Sequence, residues 1–279
     1  MSAEDPVGVV SSVFRALEGA GVKWCWYKGY EDWPHAIGGD VDLAVHPSDL
    51  GKAVAAVSSA ARERGARAFV PCSHADVTAC FMMFEKRAAV EIDFFSNWWK
   101  WTGQRILHAE EVVASRRRHA DVWIPAPEHE CVLLLLLYGM VPRVAMERRV
   151  SGIERARELA RRDPSACRQA LVGALGRVGV GLWRLLECGE VEELIAAGRR
   201  VRLYALGRAL AGRGAVGVVA RAAWVYAGRA LVARCGLWRG FGRSVQPVRV
   251  RQLGGVERNK RWLEQVVRRH EGAWLVKEG

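Results

Sequence analysis

No run of 18 or more uncharged apolar residues occurs in the chain, so no membrane-spanning helix is expected. No Cys-x-x-Cys pair is present, and the seven cysteines are an odd number. That pattern argues for reduced thiols and a cytoplasmic protein rather than a disulfide framework. No Walker A sequence is found, which excludes a P-loop kinase, and no Gly-x-Ser-x-Gly elbow points to a hydrolase. The seven histidines show no zinc-ligand spacing. The opening Met1-Ser2-Ala3-Glu4-Asp5-Pro6 is acidic and polar, so it is not expected to act as a signal peptide. Gly212 to Gly217 matches Gly-x-Gly-x-x-Gly but follows no clear strand, and no acid occurs before Glu257 to hold a ribose. A dinucleotide-binding reading therefore fails.

Charge is nearly balanced in one half and one-sided in the other, where acids are scarce. Residues 1–150 hold 17 Lys+Arg against 19 Asp+Glu, whereas residues 151–279 hold 25 against 11. From Leu194 to Val256 there are twelve arginines, no lysine and no acid. Such asymmetry suggests a polyanionic partner. At 279 residues the chain is long enough for one or two domains.

What is present begins with two acids. Ile37-Gly38-Gly39-Asp40-Val41-Asp42-Leu43-Ala44-Val45 reads as a strand after a Gly-Gly turn. Side chains alternate along a strand, so Asp40 and Asp42 share one face while Val41, Leu43 and Val45 point into a core. Ala89 to Phe95 repeats the pattern, with Glu91 and Asp93 on one face. Hard oxygen ligands in this arrangement suit Mg²⁺, which combines carboxylates with substrate phosphates. An EF-hand does not fit, because the twelfth position from Asp40 is Gly51 and the sixth is Val45. The third acid is either Asp93 or Glu91. Tyr27-Lys28-Gly29-Tyr30 closes an earlier strand and is expected to open a short helix. There Gly29 would let backbone N–H groups approach a phosphate and Lys28 would add a point charge.

The remaining elements follow from periodicity. Asp5-Pro6 caps a first helix with Val9, Val10, Val13, Phe14 and Leu17 inward. Pro47-Ser48-Asp49 starts a second, reaching Arg64, with Val54, Val57 and Ala61 as its apolar face. Short strands are predicted at Arg67 to Val70 and at Val122 to Ile124. Ala79 to Glu85 and Ala88 to Phe94 form a hairpin around Lys86-Arg87. Pro125-Ala126-Pro127-Glu128 marks a boundary, followed by a helix from Cys131 to Tyr138 that is apolar all round. Helices are predicted at Glu154 to Arg162, Pro164 to Val178, Gly181 to Ala197, Val201 to Trp238 and Asn259 to His270. The fold class is α+β: a small mixed sheet over residues 1–125, then an all-α basic domain over 126–279.

A strand, the Lys28-Gly29 pair, then Gly39-Asp40-Val41-Asp42-Leu43 and a later strand acid resemble the DNA polymerase beta-like nucleotidyltransferase superfamily. The likeness is greatest to its bacterial uncharacterised nucleotidyltransferase branch and covers roughly residues 1–140. Tyr30 departs from the pattern, standing where the superfamily commonly has Gly or Ser. The resemblance implies that Asp40, Asp42 and Asp93 bind metal and serve catalysis. It places Lys28, Gly29, Tyr30 and Gly39 at the triphosphate of an NTP such as ATP. Two Mg²⁺ ions are implied, with Mn²⁺ as a substitute. The implied reaction moves a nucleoside monophosphate to an acceptor hydroxyl and releases pyrophosphate.

The acceptor is open to RNA or tRNA, a small molecule, a sugar or a protein. A non-catalytic RNA- or partner-binding protein on the same fold is the competing class. Arg199, Arg200, Arg202, Arg208 and Arg213, with Tyr204, could track an RNA backbone. Val216 to Trp238 could instead lie on a membrane surface, and a plain helical domain with surface arginines fits equally. Trp98, Trp99 and Trp101 could stack on a base or simply pack. Arg116-Arg117-Arg118 could touch phosphate or form a solvated face.

Overall fold

The computed structural model describes residues 5–37, 40–74, 77–84, 89–98, 106–139, 146–198, scattered positions from 200 to 220, and 274–275. They fall into two compact units. The first holds the described residues up to 97 with 120–123 and 274–275, and the second holds the described residues of 98–119 and 124–220.

The first unit begins with helix α1, Pro6–Gly19. The Asp5 side chain accepts from the Val7 backbone N–H at 3.1 Å, and Pro6 takes the first turn, where a missing N–H costs nothing. Its inward residues are Val9, Val10, Val13, Phe14 and Leu17, as the spacing predicts. Strands β1 (Trp24–Lys28) and β2 (Val41–Val45) follow. A 3₁₀ turn at Pro47–Asp49 leads into α2, Leu50–Glu63. The buried face of α2 is rotated from the predicted one. Val54 is half-exposed, while Ala53, Ala56 and Ala60 join Val57 and Ala61 inside. Alanines let the helix lie close to its neighbours, so the face with the best fit wins over the face with the larger side chain. Strands β3 (Ala68–His74), β4 (Val77–Met83) and β5 (Ala89–Phe95) complete the run. β3 continues four residues past its predicted end at Val70, because its whole length pairs with β4 from Ala68↔Met83 to His74↔Val77.

The sheet order is β1-β2-β5-β4-β3, with Trp274–Leu275 added as an edge strand beside β3. Only β2 and β5 run parallel; the other neighbours are antiparallel. The sheet is thus mixed, as expected. Val41, Leu43 and Val45 share a face with Trp24 and Trp26, and there Phe14 of α1 stacks on Trp24 at 4.6 Å between ring centroids. Aromatic contacts of this kind add about 0.5–1.5 kcal/mol beyond the area they bury. The predicted helix at Asn259 to His270 and most of Val201 to Trp238 lie outside the described residues.

The second unit is mainly helical: α3 (Ala109–Ala114), α4 (Pro127–Leu134), α5 (Met146–Arg162), α6 (Pro164–Leu175) and α7 (Arg177–Cys188). α4 continues as a wider turn through Leu135–Gly139, and Cys131 to Leu136 are all buried, as the apolar run predicts. The break between α6 and α7 falls at Gly176, not in the predicted interval from Val178 to Gly181. Gly176 has φ +55°, a left-handed conformation that glycine adopts without penalty. Glu130 is buried at 1% exposure between Arg155 at 3.4 Å and Arg117 at 3.5 Å. Arg116 donates to the Val113 carbonyl at 2.7 Å and Arg117 to the Pro125 carbonyl at 3.2 Å. Both are therefore engaged within their own unit. No described helix is long and apolar enough to cross a membrane.

Helices α6 and α7 touch where Gly179 lacks a side chain. A Cβ there would stand 2.4 Å from the Leu171 carbonyl oxygen. Gly179→Ala is expected to destabilise the protein by about 1–3 kcal/mol, the usual cost of overpacking. Gly181→Ala, where nothing lies within 4 Å of the added carbon, should instead stabilise by up to about 1 kcal/mol. Denaturant midpoints of the two variants should move in opposite directions; equal shifts would refute the close approach.

Candidate metal centre

The acids converge because of strand register. In the parallel pairing of β2 and β5, Asp42 lies directly opposite Asp93 and Val41 opposite Ile92. Neighbouring strands are about 4.8 Å apart, so side chains opposite one another on one face meet. Asp40 enters just before β2 on the same side as Asp42. One carboxylate oxygen from each of Asp40, Asp42 and Asp93 lies within 4.8 Å of the others. Asp42 is buried at 1% exposure, while Asp40 and Asp93 are half-buried, so the cluster reaches solvent through its outer pair.

Glu91 is not a member of that group; Asp93 supplies its third oxygen. Glu91 is 6% exposed, and its Oε2 has no hydrogen-bond partner. Burial first, then Asp93, Asp40 and Asp42, push its carboxyl up to about 10, with Lys28 pulling the other way. It is therefore a protonated side chain beside a charged cluster.

β1 supplies what surrounds Asp42. Its pairing with β2 runs Trp24↔Val45, Cys25↔Ala44 and Trp26↔Leu43, then slips so that Lys28 faces Asp42. The extra residue is Tyr27, a β-bulge. Bulges re-aim side chains, and this one brings two successive residues onto one carboxylate. The Tyr27 hydroxyl donates to Asp42 Oδ1 at 3.1 Å, and Lys28 Nζ lies 2.7 Å from Oδ2. The Tyr27 ring meets Phe95 edge-on at 5.0 Å. Burial, and then the charges of Asp42 and Asp93, raise its hydroxyl well above the usual tyrosine range, so it remains a donor. Sequence reasoning missed Tyr27: a bulge is a property of two paired strands, and nothing in the order Trp26-Tyr27-Lys28 announces it.

Gly29 follows with φ +76°, and a Cβ built on it meets nothing within 4 Å. The position is open and left-handed, which leaves room for backbone approach by a ligand. No helix starts there, contrary to expectation. Residues 31–35 form turns instead, with Trp33 N–H on the Tyr30 carbonyl at 3.0 Å and His35 N–H on that of Asp32 at 2.8 Å. The physical reason is Gly29's own left-handed φ, which does not lead into a right-handed helix. Tyr30 is 2% exposed, so its side chain belongs to the core. Gly39 and the side chains of Trp98, Trp99 and Trp101 lie outside the described residues. Of the basic residues singled out for a polyanion, Arg200 and Arg208 are described and exposed, with Arg208 5.8 Å from the Tyr204 ring centre; Arg199, Arg202 and Arg213 lie outside.

The donor set fits a hard divalent cation. Oxygens sharing one Mg²⁺ at bonds of 2.0–2.1 Å stand about 3–4 Å apart. A cluster already within 4.8 Å needs only small adjustments. Like charges this close raise each other's energy, and a divalent cation relieves that. Tyr27 would then fix the orientation of Asp42. Tyr27→Phe is expected to weaken Mn²⁺ binding about 10–100-fold, the usual effect of removing a ligand's supporting hydrogen bond. Calorimetric titration with Mn²⁺ checks this, and an unchanged affinity would exclude the orienting role.

No protein-family profile and no curated protein matches the sequence. Solved structures similar to it include two from Helicobacter pylori. One is JHP933 from Helicobacter pylori, with TM-score 0.34 and 10% identity over 72% of this chain and 91% of that one. The other is a candidate nucleotidyltransferase from H. pylori, with TM-score 0.31 and 12% identity over 75% of this chain and 98% of that one. At that level of similarity, chemistry has to be read from the acids themselves.

Proposed function

We propose that this chain is a metal-dependent nucleotidyltransferase that moves a nucleoside monophosphate from an NTP to an acceptor hydroxyl. The observation that supports this reading is the group of Asp40, Asp42 and Asp93 oxygens within 4.8 Å of one another, beside Lys28 and the open Gly29. Two Mg²⁺ ions, or Mn²⁺ in their place, would be held by Asp40 and Asp42 jointly and by Asp93 on the acceptor side. Bound there, they supply charge neutralisation and lower the pKa of the acceptor hydroxyl.

The chain's own contribution is positioning. Gly29 would offer backbone to the triphosphate and Lys28 a positive charge. The acceptor oxygen forms its bond to the α-phosphorus as that phosphorus loses its bond to the β-bridging oxygen. Pyrophosphate departs, and the hydroxyl proton passes to Asp93 or solvent. A transfer of this type needs little from the protein beyond alignment and charge stabilisation.

The excess of 25 basic over 11 acidic residues in 151–279 makes RNA the first acceptor to try. The test incubates the protein with Mg²⁺, each α-labelled NTP, and total tRNA or cell extract. Label in RNA supports an RNA acceptor, and label in a small molecule, sugar or protein moves the acceptor there. No transfer from any NTP, with RNA binding unchanged in Asp40→Ala, would replace the enzyme with a binding protein.

A further inference from the structure

The bulge at Tyr27 has put an ammonium where a cation would be wanted. Lys28 Nζ sits 2.7 Å from Oδ2 of Asp42, the most buried acid of the group. Lys28 itself keeps 31% of its side chain exposed, so it has solvent to move into. The Tyr27 hydroxyl already takes up one lone pair of Oδ1, so Lys28 and an incoming metal would compete for the same carboxylate.

We infer that Lys28 is a resident counter-ion that a divalent metal must displace, and that displacement frees its ammonium for an anionic phosphate group. This rests on the metal-site reading above. Lys28 is thus a positioning residue that ties the two bindings together. While it pairs with Asp42 it lowers metal affinity and offers less charge to a phosphate. Once displaced from Asp42 its ammonium lies next in the chain to the open backbone of Gly29. Coupling of this kind is reciprocal: what metal does for phosphate binding, phosphate does for metal binding. A lysine suits the exchange because its long stem and single point of charge let it change partners without a fixed fork geometry.

The test uses Mn²⁺ alone, without nucleotide, followed by electron paramagnetic resonance of the free ion. Lys28→Gln should bind Mn²⁺ roughly tenfold more tightly than the wild type, within the ordinary range of coupling between sites. Lys28→Arg, which keeps the charge, should not tighten it. In the wild type, Mn²⁺ should speed reductive methylation of Lys28 several-fold, read by peptide mass spectrometry. Unchanged or weaker binding in Lys28→Gln, with the wild type still binding Mn²⁺, overturns the displacement and leaves the metal site standing. Failure of both proteins to bind Mn²⁺ overturns the metal site as well. Tighter binding in Lys28→Gln upholds the displacement even if no nucleotidyl transfer is ever detected.

Discussion

Asp42→Asn is expected to lower nucleotidyl transfer by about 10³-fold while leaving the protein folded. A bound metal ion supplies several kcal/mol of transition-state stabilisation, and each 1.4 kcal/mol is about a factor of ten in rate. Asp42 is the acid to choose because it is the most buried of the group and lies opposite Asp93 in the β2–β5 pairing. Asparagine keeps its shape and can still accept from Tyr27. Asp40→Asn and Asp93→Asn should fall by similar factors, and EDTA should silence the wild type. The measurement is label transfer under saturating NTP, with thermal unfolding run alongside. Retention of activity within tenfold in all three variants would show that these carboxylates are not the catalytic metal ligands.

Glu91→Gln is expected to stabilise the metal-free protein, and increasingly so as pH rises. In the folded chain the Glu91 carboxyl is raised to about 10 from an ordinary 4.5. Below pH 4.5 it is protonated both folded and unfolded, and it costs nothing. Above that, the unfolded chain ionises while the folded one keeps its proton, so folding must take up a proton and stability falls as pH rises. The slope is at most about 1.4 kcal/mol per pH unit. Glutamine has no proton to take up. The variant's advantage should therefore be near zero at pH 4.5 and reach up to about 4 kcal/mol by pH 8. Denaturant unfolding in EDTA across that range checks it. A difference between variant and wild type that stays flat with pH would mean that Glu91 is ionised in the fold.

Much of the architecture was legible because local chemistry and global packing agree. Asp5-Pro6 caps α1, the alternation of Val41, Leu43 and Val45 marks β2, and the β4–β5 hairpin lies within two residues of its predicted limits. The acids could be singled out for the same reason, since a period of two assigns Asp40 with Asp42 and Glu91 with Asp93 to shared faces. The choice between Glu91 and Asp93 was not legible, because it depends on which residue lies opposite Asp42, and register between distant strands is not a local property. The bulge at Tyr27 escaped for that reason too. So did the face of α2, where small size rather than hydrophobicity decides what goes inside. Trp274–Leu275 is two residues long and has no periodicity to detect.

That last strand has a consequence for how the chain comes together. Trp274 pairs with Phe69, so the outermost rung of the sheet joins residues far apart in the sequence. Without that strand the β3 flank is open at Ala68 and Phe69, and an unpaired flank is a template for intermolecular pairing. A fragment stopped at residue 125 would keep that flank bare permanently. It should self-associate at concentrations where the full chain does not, although every acid of the cluster is present in it.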